Sequence, residues 1–116
     1  MIRKEMPIFT KTFDMLAWLL PATKRFPREH RHDFTLRLLN TAFDLREFLE
    51  EANLRKGEKR LERLDRADEA LAKLKMYIRL STKLEWLKPA QYAHVAALLV
   101  EVGKLLGGWR KVTSSA

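Results

Sequence analysis

Apolar residues recur every three or four positions along most of the chain, which is the period of an amphipathic α-helix. No stretch alternates apolar and polar residues for long enough to predict a strand. Turn signals interrupt the helical pattern in "RFPRE" (25–29), "NLRKGEK" (53–59) and "EWLKPAQ" (85–91). The pattern therefore predicts four helices, at about residues 7–24, 28–54, 58–84 and 89–109, before a flexible tail at 112–116.

Each predicted helix has an apolar stripe that a shared core could bury. The stripe is Phe9, Phe13, Leu16 and Leu20 in the first helix, and Leu61, Leu64, Leu71, Leu74 and Ile78 in the third. Short connections between four such helices favour a single all-α domain over residues 1–116. The simplest architecture is an antiparallel up-down-up-down four-helix bundle.

The second and fourth predicted helices carry more apolar surface than one bundle buries. On the second helix, Leu36, Leu39 and Phe43 lie nearly opposite the main stripe, and the fourth helix is apolar in almost every direction. This surplus predicts that the bundle assembles into a homo-oligomer. The candidate subunit-interface residues are Leu36, Leu39, Phe43, Gly103, Gly107 and Trp109.

Glycine is unexpectedly frequent in the last predicted helix, within "LLVEVGKLLGGWRKV" (98–112). Each glycine costs about 1 kcal/mol of helix propensity relative to alanine. Gly103 and Gly107 are four residues apart, so their missing side chains would let a neighbouring helix approach closely. The alternative is that the C-terminus frays around Gly107 and Gly108.

The chain is strongly basic, with 23 Lys and Arg against 15 Asp and Glu and a formal net charge of +8. In a folded domain this balance predicts an anionic partner. One candidate surface is a ridge on the third helix formed by Lys59, Arg63, Arg66 and Lys73. Interleaved glutamates leave open that this ridge is only a solvated face.

Two further groups of cations stand out. Arg25, Arg28 and Arg31 surround the first predicted loop, where they could contact phosphates with little sequence preference. Lys75 and Arg79 project from the flank of the third helix, beside its apolar stripe. They either snorkel from a bundle edge or line a polar surface that forms when subunits associate.

The sequence offers no catalytic constellation. It contains no cysteine, no phosphate-binding loop and no serine in a nucleophile context. Of the possible metal ligands, Glu29 and His32 alone have the Glu-x-x-His spacing, and His94 has Gln91 where a carboxylate would be needed. We therefore expect no metal, no cofactor and no enzymatic activity. Without an evident signal peptide or membrane span, we expect a cytoplasmic protein that does not contact the membrane.

Three stretches resemble the accessory variability determinant (Avd) proteins of diversity-generating retroelements. They are "PATKRFPREH" (21–30), "RADEALAKLKMYIRL" (66–80) and "LLVEVGKLLGGWRKV" (98–112), in which the "EVGKLLGGW" block is the most specific. Relatives of that family are four-helix-bundle proteins encoded in intervening sequences of bacterial 23S rRNA genes. The resemblance covers most of the chain in helix order and spacing, and it is weak before Trp18 and around "LRKGEKR".

Avd-like proteins are basic four-helix bundles that form a barrel-shaped homopentamer and have no catalytic activity of their own. The resemblance therefore implies an accessory protein that binds a reverse transcriptase and RNA or an RNA:DNA hybrid. Its role would be to support template-RNA-dependent cDNA synthesis in mutagenic retrohoming.

The resemblance also implies roles for three residues. Lys75 and Arg79 fall where the family pattern has basic residues that contact the reverse transcriptase or nucleic acid, and Arg28 matches the basic residue after the loop proline. Lys75 departs from the arginine of the pattern, so it supplies a point charge without bidentate geometry.

Two other hypotheses remain. The alternative to the accessory role is an intervening-sequence-type bundle of unknown role, without a reverse-transcriptase partner. The gene neighbourhood separates these two, since a reverse transcriptase and a variable repeat favour the first and an rRNA gene the second. A small helical enzyme is the third hypothesis, and turnover that depends on His94 would support it.

Overall fold

A computed structural model describes residues 6–115 of the chain, so that Ala116 and the first five residues lie outside it. The described range contains four α-helices and no strand: α1 (Pro7–Thr23), α2 (Leu36–Asn53), α3 (Gly57–Lys83) and α4 (Pro89–Ser115). A 3₁₀ turn (Arg28–His30) and a π-helical turn (Arg31–Thr35) lead into α2. The prediction of an all-α four-helix bundle is confirmed.

The four helices form a square in which each packs against the next and α4 packs against α1. α3 and α4 have 27 residues each, so each spans about 40 Å at 1.5 Å per residue, most of the 46 Å long axis. The short connections reverse the chain between them. The α1–α2 and α3–α4 connections therefore share one end of the bundle, here called the Trp86 end, and the α2–α3 connection lies at the other, the Gly57 end.

The core takes one buried stripe from each helix. Its fully buried side chains include Met15 and Leu19 from α1, Leu38, Leu45 and Leu49 from α2, Leu64, Leu74 and Ile78 from α3, and Val95, Leu99 and Leu106 from α4. The stripe predicted for α1 is partly wrong, since Phe13 is 66% exposed and Leu20 is 42% exposed. The reason is that α1 is rotated so that Met15 and Leu19 point into the core.

The fourth helix is longer than the end predicted near Trp109, and the expected flexible tail is wrong for residues 112–115, which are helical. The last turns of α4 have partners on other helices. Trp109 packs edge-to-face on Phe9 with ring centroids 6.0 Å apart, and Arg110 Nη2 lies 2.8 Å from Asp65 Oδ1. These contacts hold the helix together past its glycines, where propensity alone favours fraying.

A single α4 glycine, Gly103, lies against another helix of the same chain. A Cβ at Gly103 would meet Leu71 Cδ2 at 3.6 Å and Lys75 Nζ at 3.8 Å, both ordinary contact distances. A Cβ at Gly107 or Gly108 would meet nothing within 4 Å. Within the protomer, the predicted close approach of a neighbouring helix is therefore confined to Gly103.

Gly107→Ala is expected to raise the free energy of unfolding by about 1 kcal/mol, because alanine favours the helix and its methyl group meets no neighbour. Gly57→Ala is the matched control and should lower that free energy, because Gly57 has a φ of +60° that alanine adopts only with strain. Urea unfolding followed by far-UV circular dichroism measures both variants. A destabilised Gly107→Ala protein would mean that a second molecule uses the space at this face.

Candidate binding surfaces

Lys75 and Arg79 lie one helical turn apart on α3, exposed beside a groove between α3 and α4. The groove has a volume of about 180 Å³, an apolar floor that includes Ile78 and Leu99, and Val100 on its α4 bank. Within residues 6–115 neither cation makes an ion pair or a hydrogen bond. The structure thus places two unpaired positive charges next to an apolar surface.

The side chain of Lys75 follows the edge of the bundle. Its Nζ lies 3.8 Å from the position of a Cβ on Gly103, so the lysine stem reaches across α3 toward α4. The missing side chain of Gly103 leaves room for it. This is the geometry of a snorkelling lysine, with an apolar stem on the protein and a charge at the solvent edge.

The four cations of the predicted basic ridge of α3 differ in whether they form ion pairs. Arg63 Nε lies 2.7 Å from Glu51 Oε1 of α2, so this arginine ties two helices together. Arg66 forms a longer, exposed pair of 3.6 Å with the glutamate three residues further on. Lys59 and Lys73 are exposed and have no ion-pair partner in the described range. The two terminal lysines of the ridge are therefore available to a partner, whereas its two central arginines are paired with carboxylates.

The loop cations lie at the Trp86 end of the bundle. Arg25, Arg28 and Arg31 are all exposed, and none pairs with a carboxylate among residues 6–115. Lys75 lies eight residues before the end of α3, which places it about 12 Å from the same end. The fold thus brings the loop cations and the Lys75–Arg79 pair into the same half of the molecule.

An aromatic cluster joins the two loops at this end, and sequence reasoning missed it. The Trp86 ring centroid lies 5.5 Å from that of Phe26, 5.2 Å from that of Phe34 and 5.4 Å from that of His30. Such ring contacts fix the loops that carry the basic residues. A signal was present in the sequence, since Phe26 and Trp86 occupy two loops that an antiparallel bundle must place together.

The local sequence directs Trp86 back over the bundle. α3 ends in a Schellman turn, in which the Trp86 N–H donates to the Ser81 carbonyl at 2.9 Å and the Glu85 N–H donates to the Thr82 carbonyl at 3.0 Å. Glu85 has a φ of 63°, a left-handed conformation that glycine usually supplies at this position. The left-handed backbone at Glu85 therefore accompanies the turn that places the Trp86 ring against its aromatic neighbours.

Within the described range no group of three or more His, Asp or Glu side chains could hold a metal ion. His32 and Glu29 are both exposed, and the His94 ring packs on Trp18 with centroids 5.5 Å apart. No helix between residues 6 and 115 combines the length and the apolar character needed to cross a bilayer.

Part of the predicted subunit interface is exposed. Leu36 is 47% exposed and Phe43 is 36% exposed on α2, and Leu20 of α1 lines the same surface pocket as Leu39 of α2. Arg46 fixes this arrangement, because it donates to the Phe9 carbonyl at 2.6 Å and lies 4.7 Å from the Phe13 ring centroid. We call this surface the α1–α2 apolar face; it consists of Phe13, Leu20, Leu36, Leu39 and Phe43.

The other candidates for the interface differ in their environment. Trp109 is half-buried and packs within the protomer, against Phe9 and under the guanidinium of Arg60. Gly107 is exposed, whereas Gly103 is half-buried against α3. Gly107 is therefore more accessible to a second molecule than Trp109 or Gly103.

The comparisons with known proteins agree with this architecture. A family model described as bAvd-like matches residues 6–113. Among solved structures, the chain resembles a protein of unknown function from the S23 ribosomal protein family of Bacteroides thetaiotaomicron VPI-5482. The TM-score is 0.81 at 16% identity, over 90% of this chain and 95% of that one, so the likeness concerns the fold alone. No curated protein matches the chain.

The pKa of Asp33 is expected to lie below its ordinary value. Its carboxylate accepts hydrogen bonds from the Phe34 backbone N–H, the larger cause, and from His30 Nδ1 at 3.2 Å. A depressed pKa means that the stabilisation from these bonds is present above the pKa of the unfolded chain and is lost as the pH falls through that of the folded protein. Carbon-13 NMR of the carboxyl group measures the pKa. His30→Ala should raise it only in part, and a full return would contradict the leading role of the Phe34 N–H.

Proposed function

The chain belongs to the bAvd-like family, and from that membership we propose that it is a non-catalytic accessory protein of a diversity-generating retroelement. In this role it binds the reverse transcriptase and nucleic acid in the cytoplasm. It thereby supports template-RNA-dependent cDNA synthesis in mutagenic retrohoming. The observation that carries the proposal is the pair of exposed, unpaired cations Lys75 and Arg79 on a protein of net charge +8.

The nucleic acid in this proposal is RNA or an RNA:DNA hybrid, held mainly through its phosphates. Arg25, Arg28 and Arg31 are suited to this, because they are exposed at one end and unpaired within the described range. Phosphate contacts release counterions, so binding should weaken steeply as salt is raised and should depend little on base sequence. In the ridge, Lys59 and Lys73 would contribute more than Arg63 and Arg66.

The proposal also includes assembly into a homo-oligomer, and the family resemblance makes a pentamer the expected state. The α1–α2 apolar face supports assembly, because burial of one large apolar side chain contributes about 1.5–3 kcal/mol. Several such side chains lie together on this face, including Phe13 at 66% exposure. A subunit contact here would cover surface that a monomer leaves in water.

Lys75→Ala combined with Arg79→Ala is expected to weaken binding of the same-locus reverse transcriptase roughly tenfold, about 1.4 kcal/mol, without loss of helix. The control is Lys56→Ala with Lys111→Ala, which removes the same charge at the Gly57 end. Light scattering with and without the enzyme, across salt concentrations, measures the complex. If the parent protein binds neither the enzyme nor RNA, the intervening-sequence-type alternative is favoured.

Leu36→Lys combined with Phe43→Lys is expected to lower the mass of the oligomer, because two charges would enter an apolar subunit contact. Both side chains are already partly exposed, so the fold of the protomer should survive. Val112→Lys is the control, since Val112 is 70% exposed at the far end of α4. An unchanged mass in light scattering would remove the α1–α2 apolar face from the interface.

A further inference from the structure

The groove between α3 and α4 has the wrong size for a typical small-molecule site. Its volume is about 180 Å³, whereas small-molecule pockets have roughly 300–1,000 Å³. It is partly open to solvent, and Val100 on its α4 bank is 51% exposed. An occupant that inserts one side chain and extends along the surface fits these dimensions.

The α4 side of the groove belongs to a longer line of residues along one face of the helix, of which Ala96 and Val100 border the groove. Ala96, Val100, Gly103 and Gly107 follow one another at three- and four-residue steps, so they share one face of the helix. A Cβ at Gly107 would meet nothing within 4 Å, so no packing inside the protomer accounts for this glycine. Because Gly103 lies against Leu71 and Lys75, the open glycine on this line is Gly107, where the backbone of a second helix has room to approach.

The charges beside the groove all have the same sign. Lys75 and Arg79 form the α3 bank, and neither has a carboxylate partner within residues 6–115. The nearest acidic side chain on the same flank, Asp68, is paired with Arg110 at 3.5 Å. Charge complementarity therefore requires an acidic occupant, with carboxylates spaced by one helical turn to match the two cations.

From these features we propose that the α3–α4 groove binds an acidic amphipathic helix of a protein partner. One apolar side chain of that helix enters the groove beside Val100, its backbone approaches this line at Gly107, and two carboxylates one turn apart meet Lys75 and Arg79. Nucleic acid fits less well, because phosphates would meet the two cations and would leave the apolar floor uncovered. The inference rests on the proposed function for its partner, the reverse transcriptase.

Two variants at adjacent glycines test the docking line. Gly107→Leu places a side chain on the line, whereas Gly108→Leu places the same side chain about 100° round the helix, and both positions are open in the protomer. The probe is a fluorescent 18-residue synthetic helix with leucines on one face and glutamates one turn apart at its edge. We expect Gly107→Leu to weaken its binding at least tenfold in fluorescence anisotropy and Gly108→Leu to change it less than twofold.

A charge swap tests the two cations. Lys75→Glu with Arg79→Glu should abolish binding of the glutamate peptide and should create binding of a matched peptide with lysines in place of the glutamates. Single-stranded RNA is the competing probe. Loss of RNA binding while the glutamate peptide is unaffected overturns the proposal, and so does failure of the glutamate peptide to bind the parent protein.

The same variants separate this inference from the proposed function. If the reverse transcriptase binds and Gly107→Leu does not weaken it, the groove proposal is wrong and the accessory role stands. If the peptides follow the charge swap and the enzyme does not bind, the groove proposal stands and the accessory role fails. A lower oligomer mass for Gly107→Leu, without a change in peptide binding, would assign the line to a second copy of the chain and overturn the proposal.

Discussion

Every helix contributes one apolar stripe to a common core, and the burial of those stripes determines which residues reach solvent. Leu38, Leu74 and Leu106 come from three different helices and have no exposed surface. Burial of each such leucine contributes about 1.5–3 kcal/mol, whereas an exposed ion pair contributes about 0–1 kcal/mol. The core therefore sets the rotation of each helix, and the charged surface follows from it.

The position of the two groove cations illustrates this dependence. Lys75 and Arg79 each follow a buried core residue, Leu74 and Ile78, by one position in the chain. One residue corresponds to about 100° of rotation, so both side chains lie on the flank of α3 that borders α4. There they meet small and apolar residues instead of carboxylates, which leaves their charges unpaired. The same geometry places Arg63 beside Glu51 of α2, where its charge is shared.

The aromatic contacts at the Trp86 end hold the loop that carries basic residues. Loops between helices are normally the most mobile parts of a bundle, yet here the ring of Trp86, in the α3–α4 connection, packs against the rings of Phe26 and His30 in the α1–α2 connection. The loop cations Arg25, Arg28 and Arg31 thus project from a braced end instead of from a free loop. Pre-ordering of this kind reduces the entropy lost when a charged partner binds.

The number and order of the helices follow from local sequence, because the period of apolar residues and the turn signals are local properties. The sequence also indicated exposed apolar residues such as Leu36 and Phe43, which the core of one bundle has no room to bury. The tertiary structure decided the rotation of α1, which exposes Phe13, because small differences in packing select among adjacent apolar stripes. It decided the length of α4 as well, since Trp109 and Arg110 are held by partners on other helices. Whether an arginine is ion-paired, or a glycine is packed against another helix, depends on residues that are distant in the chain. Local sequence does not identify those residues.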